Sequence, residues 1–172
     1  MLEEDIARLF SDGVALAETV GTILLDQQLT IAVAESATGG LIGHFLTEIP
    51  GSSQYFLGGI IAYANTVKQN LLGVSTEVIE HFGAVSEEVV TKLADNVRQR
   101  LDADIGLATS GIAGPAGATP KKPVGLVFIA IALPRRRPII NQYKFEGNRS
   151  ENKIHFAIAA LELLLGILHE KT

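Results

Sequence analysis

Ile31-Ala32-Val33-Ala34-Glu35-Ser36-Ala37-Thr38-Gly39-Gly40 decides how the rest of this chain is read. Its apolar start is a buried strand that ends on a serine. Two glycines then open an amphipathic helix carrying Leu41, Ile42, Phe45 and Leu46, which stops before Pro50-Gly51. A strand feeding a helix through a glycine turn is the unit of a layered α/β domain. The turn also sets the Ser36 hydroxyl beside helix-opening N–H groups that no helical carbonyl accepts. Such amides suit a phosphate or an oxyanion. Ser36 therefore has two readings, as a nucleophile or as a hydroxyl that only binds or caps.

Outward from this stretch, residues 4–28 repeat apolar side chains at helical spacing (Ile6, Leu9/Phe10, Leu16/Ala17, Val20, Ile23/Leu24). A second buried strand is expected at 57–63. Asn65 is placed to cap a short helix through Lys68, Leu71 and Leu72. Ser75–Phe82 reads as another short helix, and Ser86 caps a longer one bearing Val89/Val90, Leu93/Ala94, Val97 and Leu101. A third strand covers about 104–109. Residues 124–133 and 138–146 form an antiparallel pair across Pro134-Arg135-Arg136-Arg137-Pro138, and Ser150 caps a final apolar helix. The expected fold is a layered α/β domain with a parallel core and an antiparallel edge. Residues 1–172 form one domain, with helix 1–28 packed on it.

Composition narrows the function. The chain has 172 residues, 14 basic against 19 acidic side chains and a formal charge of −5, and it contains no cysteine. The acidic balance gives no basic face for nucleic acid, and the arginine run reads as a solvated turn. Thiolate chemistry and disulfides are excluded. No uncharged apolar run reaches bilayer length, and Glu3, Glu4 and Asp5 are the opposite of a signal peptide's start. A cytoplasmic protein without membrane contact is expected. The N-terminal and final helices either cover the sheet or meet a second subunit, and a homo-oligomer is expected.

A serine nucleophile needs a base. His44, His81, His155 and His169 fall in helices or their flanks, without the signature of a Ser-His-Asp set. Lys68 is the alternative: with Asn65 as cap, it sits near the positive end of a helix dipole, which disfavours an ammonium, and partial burial would lower its pKa further. A plain surface lysine fits the spacing equally well. Tyr63, at the end of the second strand, either relays a proton or packs its ring with a wet hydroxyl. Thr38, Gly39 and Gly40 offer amides beside Ser36. A second glycine-rich loop, Thr109-Ser110-Gly111-Ile112-Ala113-Gly114-Pro115-Ala116-Gly117, follows the third strand, and Arg149 is its natural anion partner. The strand ends at Ser36, Tyr63 and Thr109-Ser110 are expected to share one cleft. No residue spacing supports a metal site, and no cofactor is expected.

Seven ordered motifs are similar to those of the CinA C-terminal domain family, whose enzymatic members are nicotinamide-nucleotide amidases: Ala34-Glu35-Ser36-x-Thr38-Gly39-Gly40, Pro50-Gly51-Ser52-Ser53, Tyr63-x-Asn65-x-x-Lys68, Leu72-Gly73-Val74, Gly83-Ala84-Val85-Ser86, Thr109-Ser110-Gly111-Ile112-Ala113-Gly114-Pro115 and Lys122-Pro123-Val124-Gly125. The resemblance runs from about Leu29 onward. It implies a three-layer α/β/α sandwich with a mixed, mainly parallel sheet. It also implies hydrolysis of the carboxamide of nicotinamide mononucleotide to nicotinate mononucleotide and ammonia. By the same resemblance Ser36 is the nucleophile and Lys68 and Tyr63 its activating partners. Thr38, Gly39 and Gly40 form the oxyanion side, and Thr109, Ser110, Gly111, Gly114 and Arg149 bind substrate. Ala37, Ala64, Ala116 and Ala118 depart from the family's usual residues without removing a catalytic group. The other readings are a non-catalytic nucleotide-binding module and an amidase for a different small carboxamide.

Overall fold

Side-chain size alternates along the central strands, and that alternation builds the two sides of the molecule. In the computed structural model, which describes residues 2–170, β1 (Ile31–Glu35) turns Ile31 and Val33 to one face and Ala32 and Ala34 to the other. β3 (Ile105–Gly111) and β4 (Leu126–Ala132) repeat the pattern. On the large-residue face, α1 (Leu2–Asp26), α2 (Leu41–Thr47) and α6 (Arg149–Glu170) pack as one layer. On the small-residue face lie α5 (Glu87–Arg100) and α4 (Thr76–Phe82), while α3 (Asn65–Asn70) follows β2 (Phe56–Ile61). The result is the expected three-layer sandwich. Residues 1, 171 and 172 of the expected domain lie outside the described set.

The sheet order is β2-β1-β3-β4-β5, with β5 spanning Ile139–Lys144. β1 pairs parallel with β2 and β3, whereas β4 is antiparallel to both β3 and β5. All strands except β4 therefore run the same way, and their carboxyl ends share one rim. That is where ligands bind in open α/β sheets. α6 is long and apolar enough to suit a bilayer by composition, yet its apolar side chains are buried against the sheet and α1.

Ser86 caps α5 as expected, and Ser75, expected as the first residue of its helix, caps α4; each side chain accepts from the amide three residues on. Two caps are corrected. Ala64, not Asn65, precedes α3, because its carbonyl accepts from both Val67 and Lys68 and so begins the helix at Asn65. Asn148, not Ser150, caps α6: its Oδ1 accepts from the Ser150 and Glu151 amides, and Glu151 returns a carboxylate oxygen to the Asn148 amide.

The small face lets α5 approach closely. A Cβ on Gly106 would collide with the Ala94 carbonyl and lie 2.7 Å from the Arg98 Cβ. Gly106→Val is expected to lower stability by about 3 kcal/mol through overpacking. Gly166→Ala, where a Cβ on α6 meets nothing within 4 Å, should raise it by about 0.5–1 kcal/mol. Urea unfolding midpoints check both.

Candidate active site

The shared rim assembles the site from four strand ends. β1 delivers Ser36, β2 delivers Tyr63 and then Lys68, and β3 delivers Ser110 through Gly114. β5, running the same way, leads to Arg149 at the start of α6. Ser36, Tyr63, Lys68, Ser110, Gly111, Gly114 and Arg149 all line one solvent-open cavity of about 290 Å³.

Lys68 is almost wholly buried, although it sits on a six-residue helix. Its Nζ donates to the carbonyls of Ala62 at 2.7 Å and Tyr63 at 3.0 Å. Burial pushes its pKa below the ordinary lysine value. The expected dipole origin is corrected: Lys68 is the fourth residue of a helix too short to offer a distinct positive end, and desolvation supplies the shift. A neutral amine has two hydrogens and one lone pair. With both hydrogens accepted by carbonyls, the lone pair is left for the cavity. Among the described residues no hydrogen bond joins Lys68 to the Ser36 hydroxyl.

Tyr63 takes part differently from expectation. Its main-chain carbonyl holds Lys68, while its exposed hydroxyl accepts from Arg149 Nη2 at 2.8 Å. Arg149 Nη1 donates to the Gly114 carbonyl at 2.6 Å, so the guanidinium ties the loop after β2 to the loop after β3. Asn152, one turn along α6 and fully buried, donates to the carbonyls of Ala113 and Gly147 and so holds the same loop.

The oxyanion side is also corrected. Glu35, fully buried at the end of β1, accepts from the Gly40 and Ile42 amides through Oε2 (2.9 and 3.1 Å) and from Gly43 through Oε1 (2.8 Å). The Gly39 amide donates to the Ser36 carbonyl. The opening of α2 is thus filled by the protein's own carboxylate, and the Gly39 and Gly40 amides are engaged. Gly40 adopts φ 102°, which brings its amide onto Glu35 without a Cβ penalty. Thr38 and Thr109 are fully buried and share a 2.9 Å hydrogen bond through their Oγ1 atoms, and neither lines the cavity. Ser110 Oγ donates to the Ala84 carbonyl. Among the described residues the cavity-lining amides of Ala37, Ala113 and Gly114 donate to no protein acceptor.

Glu35 is the residue that sequence reasoning missed. A carboxylate ending an otherwise apolar strand, just before a helix start, was its signal.

The CinA C-terminal domain profile matches residues 14–168. The chain belongs to the CinA C-terminal domain family. It is 48% identical over 156 residues to a CinA-like protein of Thermosynechococcus vestitus, covering 90% of this chain and 38% of that protein. A CinA-like protein of Desulfosudis oleivorans is 52% identical over 157 residues, with 91% and 38% covered. The chain therefore spans under two-fifths of the length of these CinA relatives. Among solved structures, the competence/damage inducible protein CihA of Agrobacterium tumefaciens superposes with a TM-score of 0.87 at 36% identity, covering 90% of this chain and 94% of that one. A CinA superfamily protein of Escherichia coli gives 0.87 at 27% identity, with 91% of each chain covered.

Glu35→Gln replaces one acceptor oxygen with an N–H group facing other N–H donors. It should cost about 2–3 kcal/mol and speed amide exchange at Gly40, Ile42 and Gly43. Unchanged exchange at those three amides would contradict the clamp.

Proposed function

We propose that this CinA-family protein hydrolyses the carboxamide of nicotinamide mononucleotide, giving nicotinate mononucleotide and ammonia. The observation that supports this most is a buried lysine, held by two carbonyls, in the wall of the cavity that contains Ser36. The neutral Lys68 amine takes the Ser36 proton and the freed oxygen attacks the amide carbon. The Ala37 amide, adjacent to the nucleophile and free of protein acceptors, holds the oxyanion. The Lys68 ammonium returns its proton to the departing nitrogen, which leaves as ammonia. Water, deprotonated by the same amine, then cleaves the ester and restores Ser36. Arg149 and the free amides of Ala113 and Gly114 line the same cavity and hold the substrate's phosphate. Tyr63 positions both cations, one through its carbonyl and one through its hydroxyl. The substrate is a small nucleotide, and neither nucleic acid, membrane nor cofactor takes part.

Ser36→Ala should reduce ammonia release from nicotinamide mononucleotide at least about 10³-fold with the fold intact. Undiminished turnover would defeat the mechanism. Binding by the wild-type protein without release would favour a nucleotide-binding module, and release from other small carboxamides alone would reassign the substrate.

Lys68 must be neutral to act, so kcat/KM should climb as pH rises through its lowered pKa. The acid limb is expected to have its midpoint below the ordinary 10.5. Lys68→Arg should be inactive at every pH, because a guanidinium does not accept the proton.

A further inference from the structure

Among the described residues Asn152 is the one polar side chain that α6 buries completely, in a helix whose other buried residues are all apolar. This asparagine is only half satisfied. Its Nδ2 donates to the Ala113 carbonyl at 3.0 Å and to the Gly147 carbonyl at 2.8 Å, while its Oδ1, also buried, accepts from no group among the described residues. Turning the amide over would set the oxygen against two carbonyls and strand the NH2 group, so these partners fix its orientation. An orphaned buried oxygen costs stability. What the residue adds over an apolar side chain is its pair of donors.

Those donors act on the wall of the cavity. The carbonyls of Ile112, Ala113 and Gly114 are taken in turn by the Gly125 amide at 2.7 Å, by Asn152, and by Arg149 Nη1 at 2.6 Å. A trans peptide unit points its C=O and N–H in opposite directions. The Ala113–Gly114 unit is trans, so holding the Ala113 carbonyl turns the Gly114 N–H away from Asn152. Gly114 lines the cavity and Asn152 does not, and among the described residues the Gly114 amide donates to no protein acceptor. A Cβ on Gly114 would lie 2.6 Å from Val124 Cγ1, so the position requires glycine. Glycine by itself leaves the backbone free to turn. The hydrogen bond from Asn152 removes that freedom.

We propose that Asn152 is a positioning residue: from behind the cavity wall it aims the Gly114 amide at the anionic group of the substrate, and so sets the affinity for that group without touching it. The proposal rests on the placement of the substrate's phosphate given above. The second bond of the same NH2 group, to Gly147, ties the loop to the turn that leads into Arg149. The amide and the guanidinium that meet the phosphate are thereby held at one spacing.

The test compares the wild type with Asn152→Leu and, because leucine leaves two buried carbonyls unpaired, with Asn152→Ala, which makes room for water beside them. Circular dichroism establishes that each variant is folded. In the folded variants KM for nicotinamide mononucleotide should rise at least about tenfold with kcat within about twofold. For the nucleoside that carries the same carboxamide without the phosphate, kcat/KM should be unchanged. The Gly114 amide resonance of the wild type should shift on titration with inorganic phosphate, and that binding should weaken at least about tenfold in the variants. Equal losses on nucleotide and nucleoside, an unmoved KM, a wild-type Gly114 resonance indifferent to phosphate, or variants that bind phosphate as well as the wild type would each overturn the proposal. A wild type that releases no ammonia, yet shows the phosphate titration and its loss in the variants, would refute the assigned reaction and support the role of Asn152.

Discussion

The site depends on a carboxylate that does not line the cavity. Glu35 reaches forward from the last position of β1 and accepts three amides of α2, fastening both ends of the turn that carries Ser36. Hydrogen bonds to a charged acceptor contribute about 1.5–3 kcal/mol each. Their geometric effect matters as much: they fix where the strand stops and the helix starts. They also fill the anion-attracting end of α2 from within. The Gly40, Ile42 and Gly43 amides of that helix opening are therefore already engaged, whereas the cavity-lining amides of Ala37, Ala113 and Gly114 are among those that donate to no protein acceptor in the described residues.

The second constraint is the surroundings of Lys68. A surface lysine keeps its proton and serves as a point charge. Here desolvation disfavours the charge while two carbonyls fix the direction of the amine. Those carbonyls belong to Ala62 and Tyr63, the residues that connect β2 to α3. The turn that delivers the lysine thus also orients it. Arg149 binds the same turn from outside through the Tyr63 hydroxyl and joins it to the Gly114 loop. Lys68, cavity mouth and glycine-rich loop are one hydrogen-bonded assembly.

Much of this was legible in the residues. Apolar runs located all five strands to within a few residues, and Ser86 announced its helix because a serine side chain accepts from an amide only three positions ahead. Of the strand ends expected to converge at Ser36, Tyr63 and Thr109-Ser110, all but Thr109 line one cavity. The failures have several causes. The helix of Asn65 begins one residue earlier than a polar cap would place it, on the Ala64 carbonyl, and Ser150 was displaced as cap by the Asn148 side chain two residues before it. The glycine amides expected to face a ligand were taken by Glu35, whose partners lie five to eight residues ahead, beyond the reach of local pattern reading. The burial of Lys68 was not visible either, since a lone lysine in a short polar helix, NTVKQN, reads as solvated. The fold turns its side chain back onto the Ala62 and Tyr63 carbonyls, where it is buried.

The central claim concerns the protonation of one nitrogen. It is tested most directly by NMR titration of the Lys68 side chain, followed through its Cε and Nζ resonances in protein labelled at lysine and assigned with Lys68→Met. The account predicts a midpoint below the ordinary 10.5. A Lys68 midpoint at or above that value would contradict it.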